Sequence, residues 1–384
     1  MTDPASLIDP VRQEVLALAH TIVVKVGTNV LTAADGTLDR ERVAALAEQV
    51  HRVRQSGRKV VLVSSGAIGA GVGRLNLGKR PTDLRHLQAA AAVGQSVLMG
   101  AYEDCFRTHG YHAAQILLTA SDFDNRGRYL NVRNTILTLF EWGCIPVINE
   151  NDTVSVAEIR FGDNDHLAAM VTNLLQAPLL ILLTVVDGLY AGDPRPDPNA
   201  RLVSIVPTID ETIAGLAGES RSALGTGGMR SKLKAARLVT AAGESVIMAN
   251  GARPGVLDEI MSARPVGTLF LPHGGIIPAW KRWIGLTAQP RGRYIVDAGA
   301  RAAIQEKGGS LLAIGVVGVV GSFTKGDVVA IVDTAGVEFA RGLTNYSAAD
   351  ARRIKGLRSE QVRTVLGPQT YDEVIHRDNL VVTV

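Results

Sequence analysis

The chain has 384 residues, 46% of them hydrophobic, enough to bury a large core and more than the usual size of one domain. Its 40 Lys and Arg against 37 Asp and Glu leave a net charge of +3, a surplus too small to mark a polyanion-binding protein. Cys105 and Cys144 allow one bridge by arithmetic, but a disulfide framework is excluded, and no Cys/His cluster has the spacing of a zinc site.

The opening residues, MTDPASLIDPVRQEV, carry acids and two prolines and no apolar signal core. Short apolar runs then alternate with helical patterns over roughly the first 270 residues. Thr21–Val26 (TIVVKV) reads as a strand. Asp39–Gln55 reads as an amphipathic helix, with Val43, Leu46, Val50 and Val53 spaced three or four apart. Strands follow at Lys59–Ser64 (KVVLVS), Ala113–Leu118 and Ile145–Ile148, with a helix over Asn131–Trp142. A helix over Leu167–Gln176 precedes strands at Leu179–Thr184 (LLILLT), Ser245–Ala249 and Thr268–Leu271. The strands lack strict polar alternation, so both faces are expected to be covered. The order predicts an α/β fold, an α/β/α sandwich with a mostly parallel central sheet. His109 and His112 (HGYH) have no third ligand nearby and read as a surface turn.

The composition breaks after Leu271. PHGGIIPAWKRWIGLTAQPRG mixes Pro, Gly and two Trp; its ends read as linker and its middle as a possible strand. Beyond Arg291 come short β-like runs with Gly turns, Gly315–Val320, Asp327–Val332 and Val337–Arg341, interrupted by a helical piece at Ala348–Ile354. These predict a small β-rich barrel. The expected division is a large domain over 1–272, a linker over 273–290, and a small domain with a C-terminal tail over 291–384. The apolar run Leu311–Val320 is too short to span a bilayer and is broken by glycines. A soluble protein without membrane partners, in a reducing, cytoplasmic compartment, is expected.

Four constellations carry chemistry, and each also has a structural reading. Lys25 sits near the end of an apolar strand, just before Gly27-Thr28-Asn29. A lysine there is costly to bury alone and is placed to reach phosphate oxygens, or else it snorkels to solvent from an edge. Ser64-Ser65-Gly66 follows the strand KVVLV and opens a helix. Its backbone N–H groups suit an anion, or the serine merely caps. Asn149-Glu150-Asn151-Asp152-Thr153 follows the strand IPVI, and Gly162-Asp163-Asn164-Asp165 lies a few residues on. Such a density of acids and amides can hold an ammonium, orient a carboxylate or contact Mg²⁺, although Asp163 or Asn164 can also cap the next helix. Gly225-Thr226-Gly227-Gly228-Met229-Arg230-Ser231-Lys232 leads into a helix. It has glycines to close on phosphates and a lysine one turn in, or is a flexible loop at a helix start. Gly73–Lys79 mimics a P-loop but has Arg80 in place of Ser/Thr, Pro81 after it and no preceding strand. No dinucleotide fingerprint and no hydrolase elbow is present.

Together these strings, VVKVGTNVL, VLVSSGAIGAG, PVINENDTV, EIRFGDNDHLAA, DGLYAGDPR and GTGGMRSKLKAA, fall in the order seen in the amino-acid kinase family. They most resemble its branch that phosphorylates glutamate. The tail VDAGARAAIQEKGGSLLAIGVVGVVGSFTKGDVV is similar to the PUA domain, so the resemblance covers nearly the whole chain. It implies that Lys25 and Lys232 hold ATP phosphates and stabilise charge during transfer. It implies that Ser65, with Gly66, Asp152 and Asn164, binds glutamate, with Asn149, Asp163 and Asp165 counted to the same subsite. Thr184, Val185 and the run Thr226, Gly227, Gly228, Met229, Arg230, Ser231 and Lys232 would line the ATP site. Val185 stands where relatives commonly carry Asp.

The resemblance further implies ATP and Mg²⁺ as cofactors with no protein metal site, L-glutamyl 5-phosphate as product, and a place at the first step of proline biosynthesis. Inhibition by proline, a homo-oligomer, and RNA as a partner of the PUA-like part are implied in the same way. The acceptor carboxylate ionises with an unperturbed pKa of about 4.3, so no general base is needed. Acetylglutamate, aspartate, carbamate and a nucleoside monophosphate are the competing acceptors. Arg352, Arg353, Lys355 and Arg358 cluster in the tail, as an RNA contact or as a solvated helix face.

Overall fold

A computed structural model describes residues 8–33, 35–155, 164–194, 197, 199–216, 228–272, 279–367 and 370–383. The chain divides into two compact units, Met1–Asp122 with Arg126–Ile276, and Phe123–Asn125 with Ile277–Val384.

In the first unit, strands β1 (Thr21–Val26), β2 (Lys59–Ser64), β3 (Ala113–Leu118), β4 (Ile145–Glu150), β5 (Leu179–Thr184), β6 (Ile205–Val206), β7 (Ser245–Asn250) and β8 (Thr268–Phe270) form one sheet in the order β3-β4-β2-β1-β5-β7-β8-β6. The pairings from β3 through β7 are parallel; β8 runs antiparallel to β7, and β6 parallel to β8. All six residues of β1, β4 and β5 are buried, which accounts for their continuous apolar runs.

The principal helices are α1 (Pro10–Leu18), α2 (Arg40–Gln55), α3 (Ala67–Arg74), α4 (Leu84–Arg107), α5 (Arg126–Glu141), α6 (Asn164–Leu175), α7 (Met229–Thr240) and α8 (Val256–Met261), beside short helical turns such as Thr28–Leu31 and Glu211–Gly215. Asp39 caps α2 instead of belonging to it, its carboxylate accepting from Glu41 N at 3.0 Å and Arg42 N at 3.2 Å. Ile22, Val24 and Val26 join a core with Val43, Leu46 and Val50 of α2 and Leu98, Tyr102 and Phe106 of α4. The alternate residues Val23 and Lys25 face the other side of the sheet, where α6 packs on β1 and α7 on α6. Helical layers on both faces make the expected sandwich.

Two glycines lock α3 to α4. A Cβ on Gly94 would lie 1.8 Å from Ala67 O and 2.3 Å from Gly71 N, and one on Gly71 would lie 1.8 Å from Ala90 O. Only a backbone without side chains fits this crossing. It holds the residues after β2 against the middle of α4.

The second unit has a five-stranded sheet, β9 (Gly292–Val296), β11 (Val316–Gly321), β12 (Val328–Val332), β13 (Glu338–Leu343) and β15 (Leu380–Val382), in the order β11-β9-β12-β13-β15. A second ladder pairs β10 (Leu311–Leu312) with β14 (Glu373–Ile375). Its core includes Tyr294, Val329, Ile331, Phe339 and Ile375. Helices α9 (Ala298–Gln305) and α11 (Ser359–Leu366) add to α10 (Ala348–Ile354), the one helix legible in the sequence. The middle of PHGGIIPAWKRWIGLTAQPRG is helical and not extended: Ala279–Arg282 is followed by a π-helical turn, Trp283–Thr287, that buries the consecutive residues Trp283 and Ile284. Among the described residues no helix is long and apolar enough to cross a membrane.

Candidate active site

The carboxyl ends of the central strands lie side by side, with Val26 opposite Ser64 and Leu183, and Thr184 opposite Asn250. From β1 the sheet grows first through β2 and then, on the other side, through β5, so the direction of growth switches at β1. In open α/β sheets such a switch point is where ligands sit.

Lys25, the penultimate residue of β1, forms a close ion pair with Asp165 Oδ1. Lys232, in the first turn of α7, meets Asp165 Oδ2 at 3.0 Å, and Ser231 Oγ donates to the same oxygen at 3.0 Å. The three charged groups are 6%, 1% and 8% exposed for Lys25, Asp165 and Lys232. Burial alone would raise the Asp165 carboxyl, but the two ammonium groups outweigh it and hold the carboxyl well below the usual carboxylate range. One carboxylate thus keeps two like charges next to each other. Gly228 precedes α7 without a side-chain cap, so the first N–H groups of α7 meet no capping side chain there.

Beside this clamp runs a chain of side-chain amides. Asn164 Nδ2 donates to Ser65 Oγ at 2.8 Å, Asn149 Oδ1 at 3.0 Å and Ser64 O at 3.4 Å. Asn149 Oδ1 also accepts from Glu150 N at 2.9 Å, and Asn149 Nδ2 donates to Gln95 Oε1 at 2.9 Å. Ser64 Oγ donates to Ser65 O at 3.0 Å and accepts from the buried Tyr102 hydroxyl at 2.9 Å. Burial raises the Tyr102 phenol, so it stays a donor at neutral pH. Gly66 has φ +114°, a left-handed conformation that admits glycine at the turn into α3.

Of the site residues expected from sequence, the structure brings Lys25, Asp165, Ser231 and Lys232 into one cluster and Ser65, Asn149 and Asn164 into its neighbour. Asp165 joins the lysines, although the sequence placed it with the glutamate-binding residues. Asp152 lies in the turn after β4, where its charge acts on Arg80. Thr184 is buried at the end of β5, its carbonyl accepting from Gly251 N at 2.7 Å, while the Val185 side chain is exposed. Met229 is half-buried and Arg230 exposed at the start of α7. Asp163, Thr226 and Gly227 lie outside the described residues. Sequence reasoning missed Gln95 and Tyr102. Both sit on α4 among small and apolar residues, and no local pattern distinguishes them.

Residues 20–250 match the model of the amino acid kinase family, and residues 292–366 that of the PUA domain. The glutamate 5-kinase of Geobacter sulfurreducens is 48% identical over 371 residues, covering 97% of this chain and 100% of the relative. That of Syntrophus aciditrophicus is also 48% identical over 371 residues, covering 97% and 96%. A solved UMP kinase structure from Bacillus anthracis has 14% identity and a TM-score of 0.46, covering 66% of this chain and 97% of that one. With the family model spanning more than half of its length and such relatives matching it nearly end to end, the chain belongs to the amino acid kinase family, in its glutamate 5-kinase branch, and carries a PUA domain.

Proposed function

We propose that this protein transfers the terminal phosphoryl group of ATP to the side-chain carboxylate of L-glutamate, giving L-glutamyl 5-phosphate and ADP. The observation that carries this reading is the Asp165 clamp, which holds the Lys25 and Lys232 ammonium groups side by side at the switch point of the sheet. The relatives named glutamate 5-kinase support the choice of acceptor.

Phosphoryl transfer between two anions needs positioning and positive charge more than a base. The acceptor carboxylate, with an unperturbed pKa of about 4.3, is already ionised at neutral pH. Lys25 and Lys232 neutralise charge on the transferred group, and Asp165 fixes their spacing. Ser65, Gly66, Asn149, Asp152 and Asn164, with Asp163, form the glutamate side. Thr184, Val185 and residues 226–232 form the nucleotide side, where Val185 contributes its backbone. Mg²⁺ arrives on the ATP phosphates. Mg²⁺ is commonly bound through substrate phosphates and few protein ligands.

The same reading puts the enzyme at the first step of proline biosynthesis, with proline as an inhibitor that shares the α-carboxylate and ammonium of glutamate. It acts as a homo-oligomer in a reducing compartment, the cytoplasm, where the free thiols of Cys105 and Cys144 are stable. The domain division is 1–272, 273–290 and 291–384. RNA is compatible with the PUA match. Arg352 donates to Gly321 O and Arg353 pairs with Asp350, so that cluster is partly engaged locally.

The test is hydroxylamine trapping with ATP, Mg²⁺ and L-glutamate, with aspartate and acetylglutamate in parallel. Hydroxamate from glutamate alone is the expected result. ADP without hydroxamate, or preference for another acceptor, overturns the reading.

A further inference from the structure

The amide chain beside the lysine clamp has a polarity, and one backbone group sets it. The Glu150 N–H can only donate, so the Asn149 atom facing it at 2.9 Å is Oδ1. Two consequences follow along the chain. The Asn164 atom that meets Asn149 Oδ1 at 3.0 Å must be a donor, Nδ2, which the Ser64 carbonyl at 3.4 Å requires independently. The Asn149 atom on the other side is Nδ2, and it needs an acceptor. Gln95 Oε1, at 2.9 Å, is that acceptor. Gln95 Nε2 is left for a long contact to Gln115 Oε1 at 3.5 Å.

At the ligand end the same logic assigns chemistry. Ser65 Oγ accepts from Asn164, so its hydroxyl proton is free to point to a carboxylate. Asn164 commits its amide nitrogen to protein acceptors, so its Oδ1 is the acceptor left for an ammonium group. A hydroxyl donor next to an amide acceptor suits the α-carboxylate and α-ammonium of an amino acid.

We propose that Gln95 is a positioning residue for the amino-acid subsite: its carbonyl oxygen, by accepting from Asn149 Nδ2, keeps Asn149 and hence Asn164 in the orientation that presents an acceptor to the substrate ammonium. This deepens the functional reading above and rests on it. Asn149 is 2% exposed, so water does not readily replace a lost partner. A flip of Asn149 would put its Nδ2 against both the Glu150 N–H and Asn164 Nδ2. Gln95 follows Gly94, the residue whose missing side chain lets α4 lie on α3, so its backbone is held firmly enough for the task.

The experiment compares Q95M, which removes the acceptor at similar volume, with Q95E, which keeps an acceptor oxygen in place. Initial rates of hydroxamate formation give kcat and KM for glutamate and for ATP, and thermal melting checks the fold. The expected result for Q95M is a glutamate KM raised about tenfold, the size of losing one buried hydrogen-bond partner, with the ATP KM within about twofold of the parent. Q95E keeps a near-parental glutamate KM. An unchanged glutamate KM in Q95M overturns the inference, as does an equal rise in Q95E, or a parallel loss of kcat, both KM values and melting temperature. The parent enzyme separates the two levels. A parent that forms no hydroxamate from glutamate removes the functional reading and this inference with it, whereas an active parent with an unmoved Q95M removes only the inference.

Discussion

Asn164 and Asp165, consecutive residues in the first turn of α6, belong to two different networks: the Asn164 amide goes to Ser65 and Asn149, and the Asp165 carboxylate to Lys25 and Lys232. Successive helix positions are about 100° apart, so neighbours in sequence face different directions. The start of α6 therefore joins the amide network to the lysine clamp, which on the proposed function are the acceptor side and the phosphate side.

Removing one cation tests the clamp. Lys25→Ala is expected to lower kcat by about 10²–10³-fold while the glutamate KM changes little, because the hydrogen bonds of Asn164 to Ser65 and Asn149, and of Asn149 to Gln95, do not depend on the lysine. Steady-state hydroxamate kinetics check this. Near-parental turnover in the variant would show that Lys25 does not act on the transferred group.

Asp165→Asn leaves Lys25 and Lys232 without their shared anion. A comparable fall in kcat is expected, and a pH signature comes with it. The Asp165 carboxyl is held below its ordinary value in the folded chain, so protons bind the unfolded chain more readily. The stability it contributes is complete above the ordinary carboxylate value of about 3.9 and fades as pH falls toward the lower folded value. Urea midpoints of parent and variant should therefore differ at pH 6 and converge in acid. A gap that stays constant down to pH 3 would contradict the ion-pair account.

Ser65→Ala removes a hydroxyl between the Asn164 amide and the space beyond it. The glutamate KM should rise about tenfold with the ATP KM unmoved. Equal changes in both constants would place Ser65 outside the glutamate side.

Gly94→Ala puts a methyl group where Ala67 O and Gly71 N already lie. Overpacking of this kind typically costs about 1–3 kcal/mol, and here the obstructing atoms are backbone and cannot swing aside. The urea midpoint should drop clearly, and glutamate affinity should drop with it because Ser65-Gly66 leads directly into α3. Gly100→Ala on the same helix, where a Cβ meets nothing within 4 Å, is the control and should be neutral or stabilising.

Much of this was legible in one dimension. Apolar runs without polar alternation, separated by helical periods, require strands covered on both faces, and Thr21–Val26, Lys59–Ser64, Ala113–Leu118 and Leu179–Thr184 are strands with those bounds. Parallel strands linked by helices put all their carboxyl ends on one edge of the sheet, so the polar residues after each strand had to converge. The order in which the strands line up, the reversal of β8 and the helical turn at Trp283 were not legible, because pairing partners and buried faces are chosen between segments far apart in sequence.

The same limit applies within the site. Residue type and position made Lys25, Ser65, Asn164 and Lys232 stand out, but nothing local to Asp165 says that it clamps two lysines from other elements and leaves the amides to Asn164. Gln95 has no signature at all: a glutamine in a helix of small residues acquires its role only when the Gly71–Gly94 crossing brings it to Asn149. Composition and periodicity determined which segments fold and where chemistry collects. Long-range packing decided which atom faces which, because hydrogen-bond polarity is set by partners that only the tertiary fold brings together.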